Sequence, residues 1–184
     1  MGVISRFQDP CVGIIGGTGM MGSWFADISE RAGARVLRVG RRTKITPEDV
    51  TKNCNVVVVS VPISVTHEMI KRIGPLVSKE ALFIDLTSVK RMPMEAMLNY
   101  SDAEVVGLHP LFGADVDDSM VKKVAVCHGR GEEGKRWVVQ LLKNAGFEPI
   151  FMEPEEHDRL MGLIQGVNHF ETISLAFRIK ASGI

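Results

Sequence analysis

The chain is poor in the features that commit a protein to a special class. Its 184 residues include one tyrosine, two tryptophans and three cysteines. Cys11, Cys54 and Cys127 are isolated, odd in number and form no CxxC. That pattern fits a reducing cytoplasm, with each cysteine a small buried or half-buried apolar residue. Neither sign of charge is in excess, with 22 lysines and arginines against 22 aspartates and glutamates. No global field therefore argues for nucleic acid or an anionic membrane. No apolar run approaches the ~20 residues needed to cross a bilayer. The N-terminal stretch MGVISRFQDP is too short and too polar for a secretory signal, so a cytoplasmic location is expected. Internal repeats and low-complexity tracts are also missing.

What the chain has is alternation. Apolar strands are expected at 11–16, 34–39, 55–60, 81–86, 103–108, 122–127 and 147–151. Helical patterns fall between them at 20–32, 47–52, 63–73, 91–100 and 132–145. Four consecutive valines, Val56 to Val59, suit a strand buried on both faces. Pro47 suits the first turn of a helix, and Gly33 and the Gly74-Pro75 pair end two others. Strands separated by helices imply an α/β fold with a doubly wound, mostly parallel sheet.

The pattern changes after Pro154. Residues 155–180 read as one helix about twice the usual length. Asp158, Gly162, Gln165, His169, Thr172 and Ala176 lie within about 40° of one line on it. Most of the remaining circumference is apolar, from Leu160 to Ile179. Such a helix is expected to be buried and to need partners. The expected organisation is a domain at 1–152 and, at 153–184, a long helix that begins a further helical domain.

Gly17-Thr18-Gly19-Met20-Met21-Gly22 is GxGxxG, placed directly after a strand and opening a helix. The first glycine permits a tight turn, the second lets backbone approach a pyrophosphate, and the third lets helix pack on strand. The anion would sit at the helix N-terminus, where free N–H groups and the macrodipole favour it. The second strand ends in Val39-Gly40-Arg41-Arg42-Thr43. An NAD site usually carries an acid here for the ribose 2′-hydroxyl; arginine instead matches a 2′-phosphate. NADP is therefore expected over NAD.

Three polar clusters should gather at the carboxyl edge of the sheet, where open α/β sheets bind ligands. Ser60-Val61-Pro62 would border the nicotinamide. Asp85-Leu86-Thr87-Ser88-Val89-Lys90 ends the next strand, and His109-Pro110 the one after. His109 stands out: an imidazole with an ordinary pKa of ~6.5 can be neutral and still accept a proton.

In these stretches the chain resembles the prephenate dehydrogenases of tyrosine biosynthesis. The matching segments are GGTGMMG, SVPISV, DLTSVK, GLHPLFG and HDRLMGLIQGVNHF, in that order. The resemblance implies a Rossmann-like domain followed by the start of an all-helical dimerisation domain. It implies oxidative decarboxylation of prephenate to 4-hydroxyphenylpyruvate with a nicotinamide cofactor. It gives His109 the role of catalytic base and Ser88 that of the serine holding both that histidine and the substrate hydroxyl. His169 and Gln165 would face the substrate from the long helix, and Asp158 would lie behind them. It also implies a homodimer through that helix. The family normally supplies an arginine to the substrate's side-chain carboxylate from its helical domain, and Arg178 lies roughly opposite the polar stripe.

Other readings stand beside this one. Arogenate, with an amino group for the keto group, is an equally natural substrate on these residues. A cofactor-binding module without catalysis needs only the glycine turn, and a reductase of imines or 2-hydroxyacids would not require GLHPLFG. Lys90 reads as a solvated lysine or a contact for a substrate carboxylate. No metal site is expected.

Overall fold

The computed structural model describes residues 6–112 and 122–182. Gly113 of the GLHPLFG segment lies outside them. Seven strands form one sheet: β1 (Cys11–Ile15), β2 (Arg35–Val39), β3 (Val56–Val59), β4 (Leu82–Asp85), β5 (Glu104–Pro110), β6 (Lys123–Arg130) and β7 (Glu148–Phe151). Their spatial order is β2-β1-β3-β4-β5-β6-β7. Between them run α1 (Met20–Arg31), α2 (Pro47–Asn53), α3 (Ile63–Ile73), α4 (Arg91–Tyr100) and α5 (Glu132–Asn144), and α6 (Pro154–Ala181) follows β7.

The valine run explains the centre of this sheet. Val56 and Val58 point to one face, Val57 and Val59 to the other, and all four are fully buried. On the first face they join Val12, Ile14, Leu82 and Ile84 beneath Phe25 and Ile28 of α1 and Val138 and Leu142 of α5. On the second they join Ile15 and Phe83 beneath Val50 of α2, Ile70 of α3 and Met97 of α4. The period-two alternation of the strands thus feeds two cores, and the sheet is wound on both sides. The three cysteines are free and buried, as their isolation suggested.

One feature departs from the expected layout. β5 does not stop before His109 but continues through Pro110. It does so because β6 runs antiparallel to it, pairing His109 with Ala125 and Pro110 with Val124. β6 and β7 are parallel to each other, so only the β5–β6 junction reverses direction.

α6 spans 28 residues, as its periodicity predicted, and most of its apolar residues are exposed in this single chain. Leu163, Ile164, Val167, Phe170, Leu175 and Phe177 are each more than half accessible. Among the described residues nothing covers that face, and it is the first turns of α6 that meet the sheet; there His157 is completely buried.

The chain leaves β1 outward to β2 and then crosses back to β3. This reversal opens a crevice at the carboxyl ends of β1 and β3, where such folds bind ligands.

Candidate active site

The glycine turn lies at that crevice. The left-handed conformation falls on Gly16 (φ 87°), the residue before the first glycine of the motif. Gly17 is needed for closeness instead: a Cβ there would stand 2.9 Å from the Ile14 carbonyl oxygen and 3.1 Å from Arg38 Cα. At Gly22 a Cβ would come within 2.3 Å of the Gly16 carbonyl oxygen, so α1 can start this close to the turn only without a side chain. At Gly19 a Cβ would meet only Gly16 O, at 3.3 Å, and otherwise open space. Gly19 caps α1 with no side-chain hydrogen bond and no acid in the first turn. The N-terminal N–H groups and the positive end of the helix are left for an anion.

A cleft of about 560 Å³ runs from this turn across the sheet edge. One wall is Gly19, Met20 and Met21; the floor is Ser60, Val61 and Pro62 after β3. The far wall is Leu86, Thr87 and Ser88 after β4, then His109, Pro110 and Phe112. Phe112 is held edge-on to Trp24 of α1, with ring centres 5.5 Å apart, and stacks on Phe147 at 5.4 Å. The three polar clusters foreseen at the strand ends therefore do converge on one cavity.

Arg41, Arg42 and Thr43 lie at the end of β2, beside β1. Thr43 closes a turn by accepting from the Gly40 N–H at 2.9 Å. Arg41 and Arg42 are exposed and make no hydrogen bond or ion pair with a described residue. Gly40 packs against Thr18: a Cβ there would reach within 2.3 Å of Thr18 Oγ1. A side chain at Gly40, in the stretch where an NAD site usually carries its acid, would have to displace that of Thr18.

His109 is 8% exposed. Its Nδ1 is 2.9 Å from His157 Nε2, and His157 Nδ1 is 2.8 Å from Asp158 Oδ1. Asp158 also accepts the backbone N–H groups of Lys90, at 2.7 Å, and Arg91, at 3.0 Å. This carboxylate of α6 thereby caps the N-terminus of α4. Ser88 does not cap that helix, and no hydrogen bond joins Ser88 to His109. The partner of His109 is His157, a residue the sequence reading passed over. Ser88 is half-buried at the cleft rim. α6 passes through positions 165 and 169, but the side chains of Gln165 and His169 lie outside the described residues.

This chain of bonds sets the tautomers. A carboxylate only accepts, so His157 Nδ1 carries a proton and neutral His157 Nε2 accepts. The donor to it is then His109 Nδ1–H, which leaves a lone pair on His109 Nε2. Burial, then the neighbouring His157 and Lys90, push the His109 pKa down to about 4. Burial lowers that of His157 too, against the pull of Asp158. Burial works to raise the Asp158 pKa, but the bonds from His157, Arg91 N and Lys90 N outweigh it and hold it below the usual range. The site is thus a neutral imidazole pair anchored to a carboxylate.

A stability prediction follows from the depressed His109 pKa. Between pH 6.5 and about 4 the unfolded chain takes up a proton that folded His109 refuses. Stability should be full above pH 6.5 and fall as pH drops through that window. The loss is on the order of 3 kcal/mol at most. Urea midpoints across the window check it, and His109→Asn should flatten the slope; an unchanged slope would contradict the assignment.

Lys90 is neither solvated nor open to substrate. It is fully buried and bonded to Asp85 at 2.5 Å. His67 is exposed, and half-buried His128 bonds the Gly131 carbonyl, so both are peripheral. Among the described residues no cluster of ligating side chains could hold a metal, and no helix is long and apolar enough to cross a membrane.

A glycine turn on a doubly wound sheet, opening on a cleft with a neutral histidine, defines the nucleotide-binding domain of an oxidoreductase class. The sequence model described as "Prephenate dehydrogenase, nucleotide-binding domain" matches residues 12–143. The chain belongs to the prephenate dehydrogenase family. It is 39% identical over 172 residues to a T-protein of Haemophilus influenzae, covering 93% of this chain and 45% of that protein. It is 32% identical over 188 residues to a probable arogenate/prephenate dehydrogenase of Methanocaldococcus jannaschii, covering 92% and 42%. The chain therefore spans less than half the length of these two relatives. In fold it is similar to the prephenate dehydrogenase of Aquifex aeolicus solved with hydroxyphenyl propionate and NAD+ (TM-score 0.76, 22% identity, 94% of this chain and 70% of that one). It is also similar to the Synechocystis arogenate dehydrogenase (TM-score 0.69, 17% identity, 83% and 63%).

Proposed function

We propose that this domain binds NADP and carries the catalytic base for oxidative decarboxylation of prephenate to 4-hydroxyphenylpyruvate. The observation that carries the reading is His109 in the cleft, its Nδ1 committed to His157 and its Nε2 lone pair left over. The cradle fits the cofactor: Gly19 leaves open space where a Cβ would intrude, and the α1 N-terminus has no competing acid. When bound, the nicotinamide supplies the hydride acceptor.

Within this reading the chain has a limited task. Gly17, Thr18, Gly19, Met20, Met21 and Gly22 hold the pyrophosphate at the helix start. Ser60, Val61 and Pro62 support the nicotinamide side. Removal of hydride from C4 of prephenate builds positive charge on a carbon that bears a hydroxyl. His109 Nε2 accepts that hydroxyl proton in step and relieves the charge, help typically worth ~10²–10⁴ in rate. The imidazolium so formed is stabilised through His157 by the Asp158 carboxylate. Loss of the ring carboxylate as CO₂ returns its bonding pair to an aromatic ring, and the proton held on His109 goes back to the phenolate oxygen of the product. Ser88, unbonded at the rim, is free to hold the substrate hydroxyl. Gln165 and His169 approach the substrate from α6, and the exposed apolar face of that helix packs on a second copy, giving a homodimer built on residues 153–184. The enzyme works in the cytoplasm.

The preference for NADP rests on Arg41 and Arg42, both exposed and unpaired among the described residues, and on Gly40, where no acid stands. Arg41→Ala with Arg42→Ala should weaken NADP by about 10–100-fold, the worth of lost charge-assisted bonds. NAD should weaken by far less. Calorimetric titration of this chain with each dinucleotide checks it; equal weakening would remove the basis for the preference. The substrate is tested by following NADP reduction in the full-length protein with prephenate and with arogenate in parallel. Faster turnover of arogenate would transfer the same chemistry to that substrate.

A further inference from the structure

A buried ion pair lies directly beneath the cleft. Lys90, the residue before α4, and Asp85, the last of β4, are both 0% exposed. Lys90 Nζ donates to Asp85 Oδ1 at 2.5 Å and to the Leu108 carbonyl at 2.8 Å. Asp85 Oδ1 accepts as well from Thr87 N, at 3.0 Å, and Thr87 Oγ1, at 2.6 Å. Asp85 Oδ2 has no partner. Burial works to raise the Asp85 pKa and to lower that of Lys90, but three donors converge on Oδ1, which favours a carboxylate facing an ammonium. Room is made for it in β5 by Gly107, where a Cβ would stand 3.0 Å from Asp85 Oδ2 and 3.1 Å from Lys90 Cδ.

Replacing a buried ion pair by apolar groups is often neutral or stabilising, so stability alone does not explain one here. Its position does. The ammonium grips the carbonyl of the residue before His109, while the Lys90 backbone N–H grips Asp158. One residue therefore fixes both ends of the His109–His157–Asp158 chain.

We propose that Lys90 is a positioning residue for the reaction: its buried ammonium holds β5 in register, beside the backbone N–H that holds Asp158, and keeps the His109–His157 pair free of protons at working pH. This rests on the reading of His109 as the base. The charged and titratable groups facing that pair are Lys90 from the start of α4, Asp85 from β4, Asp158 from α6 and Cys127 from β6. Cys127 stays a thiol, because burial pushes its pKa up to about 12. Burial and the neighbouring His157 lower the His109 pKa most; behind them Lys90 opposes a protonated pair and Asp158 favours one. Lys90 is thus the nearby cation against which any proton entering the pair must work.

The test is an NMR titration of the imidazole nitrogens of His109 and His157 in this chain, with neither cofactor nor substrate. Failure of the functional reading would leave its outcome unchanged. Lys90→Met should raise the midpoint of the pair by about one pH unit or more. Lys90→Arg keeps a cation that burial does not neutralise and should leave the midpoint low. A merely structural role would move both variants alike, so equal upward shifts would overturn the proposal. A folded Lys90→Met with an unmoved midpoint would also overturn it. If Lys90→Met does not fold, the double variant D85N/K90M, which leaves no unpaired charge, should show the same rise, and an unmoved midpoint there overturns the proposal. If neither folds, the Lys90 Nζ shift of the native chain decides: an ammonium at pH 7 supports the proposal and a neutral amine overturns it.

Discussion

Replacing His109 by alanine is expected to lower turnover with prephenate by ~10²–10⁴-fold and to leave NADP affinity nearly unchanged. The glycine turn joins β1 to α1 and Arg41 and Arg42 follow β2, while His109 stands on β5, across the cleft. Loss of the imidazole therefore removes the proton acceptor without touching the parts that hold the dinucleotide. Turnover by the full-length variant, measured beside calorimetric binding of NADP, separates the two. A variant that loses cofactor binding would mean that His109 belongs to the nucleotide site instead.

Asp158→Asn should also lower turnover, although Asp158 does not line the cleft. Oδ1 of the carboxylate accepts from Lys90 N and His157 Nδ1, and Oδ2 from Arg91 N. An amide that keeps its oxygen at the first place still meets Lys90 N and His157 and turns its NH₂ against the Arg91 N–H. The tautomers of the pair are kept, but the negative charge is gone. An imidazolium formed on His109 then has no anion behind it, and turnover should fall on the order of 10²-fold with the cofactor site intact. Imidazole nitrogen shifts in the variant should show unchanged tautomers. Normal turnover in Asp158→Asn would break the chain of reasoning from carboxylate to base.

The parts of this site that share a strand end were legible in the sequence, and the parts that meet across elements were not. Ser60, Ser88 and His109 each follow an apolar run, and a parallel sheet sends such ends to one edge. The glycine motif announces its own helix. His157 left no comparable signal: its partner lies 48 residues away, and it sits in the first turn of a helix whose conspicuous pattern is apolar. The dipeptide His157-Asp158, just after Pro154, was the available hint. Lys90 misled because lysine is rarely buried without a partner. That partner, Asp85, stands five residues earlier, on a strand whose other residues are apolar.

The fold shows the same division. Strand and helix order follows from periodicity, but the reversal at β5–β6 does not, because both strands are buried and near-continuously apolar. Nothing in such a run marks its direction. The left-handed turn at Gly16 was obscured by its neighbour: in Gly16-Gly17 only geometry tells which glycine carries the positive φ. The apolar face of α6, exposed in the single chain, was legible as a need for a partner, but composition does not say which.

The most direct measurement is the ratio of CO₂ released to NADPH formed when the full-length protein is given prephenate and NADP alone. One CO₂ for each NADPH, with 4-hydroxyphenylpyruvate as the product, is the expected result. Reduction of NADP without decarboxylation, or no reduction while the dinucleotide binds normally, would contradict the assignment of this cleft and of His109 within it.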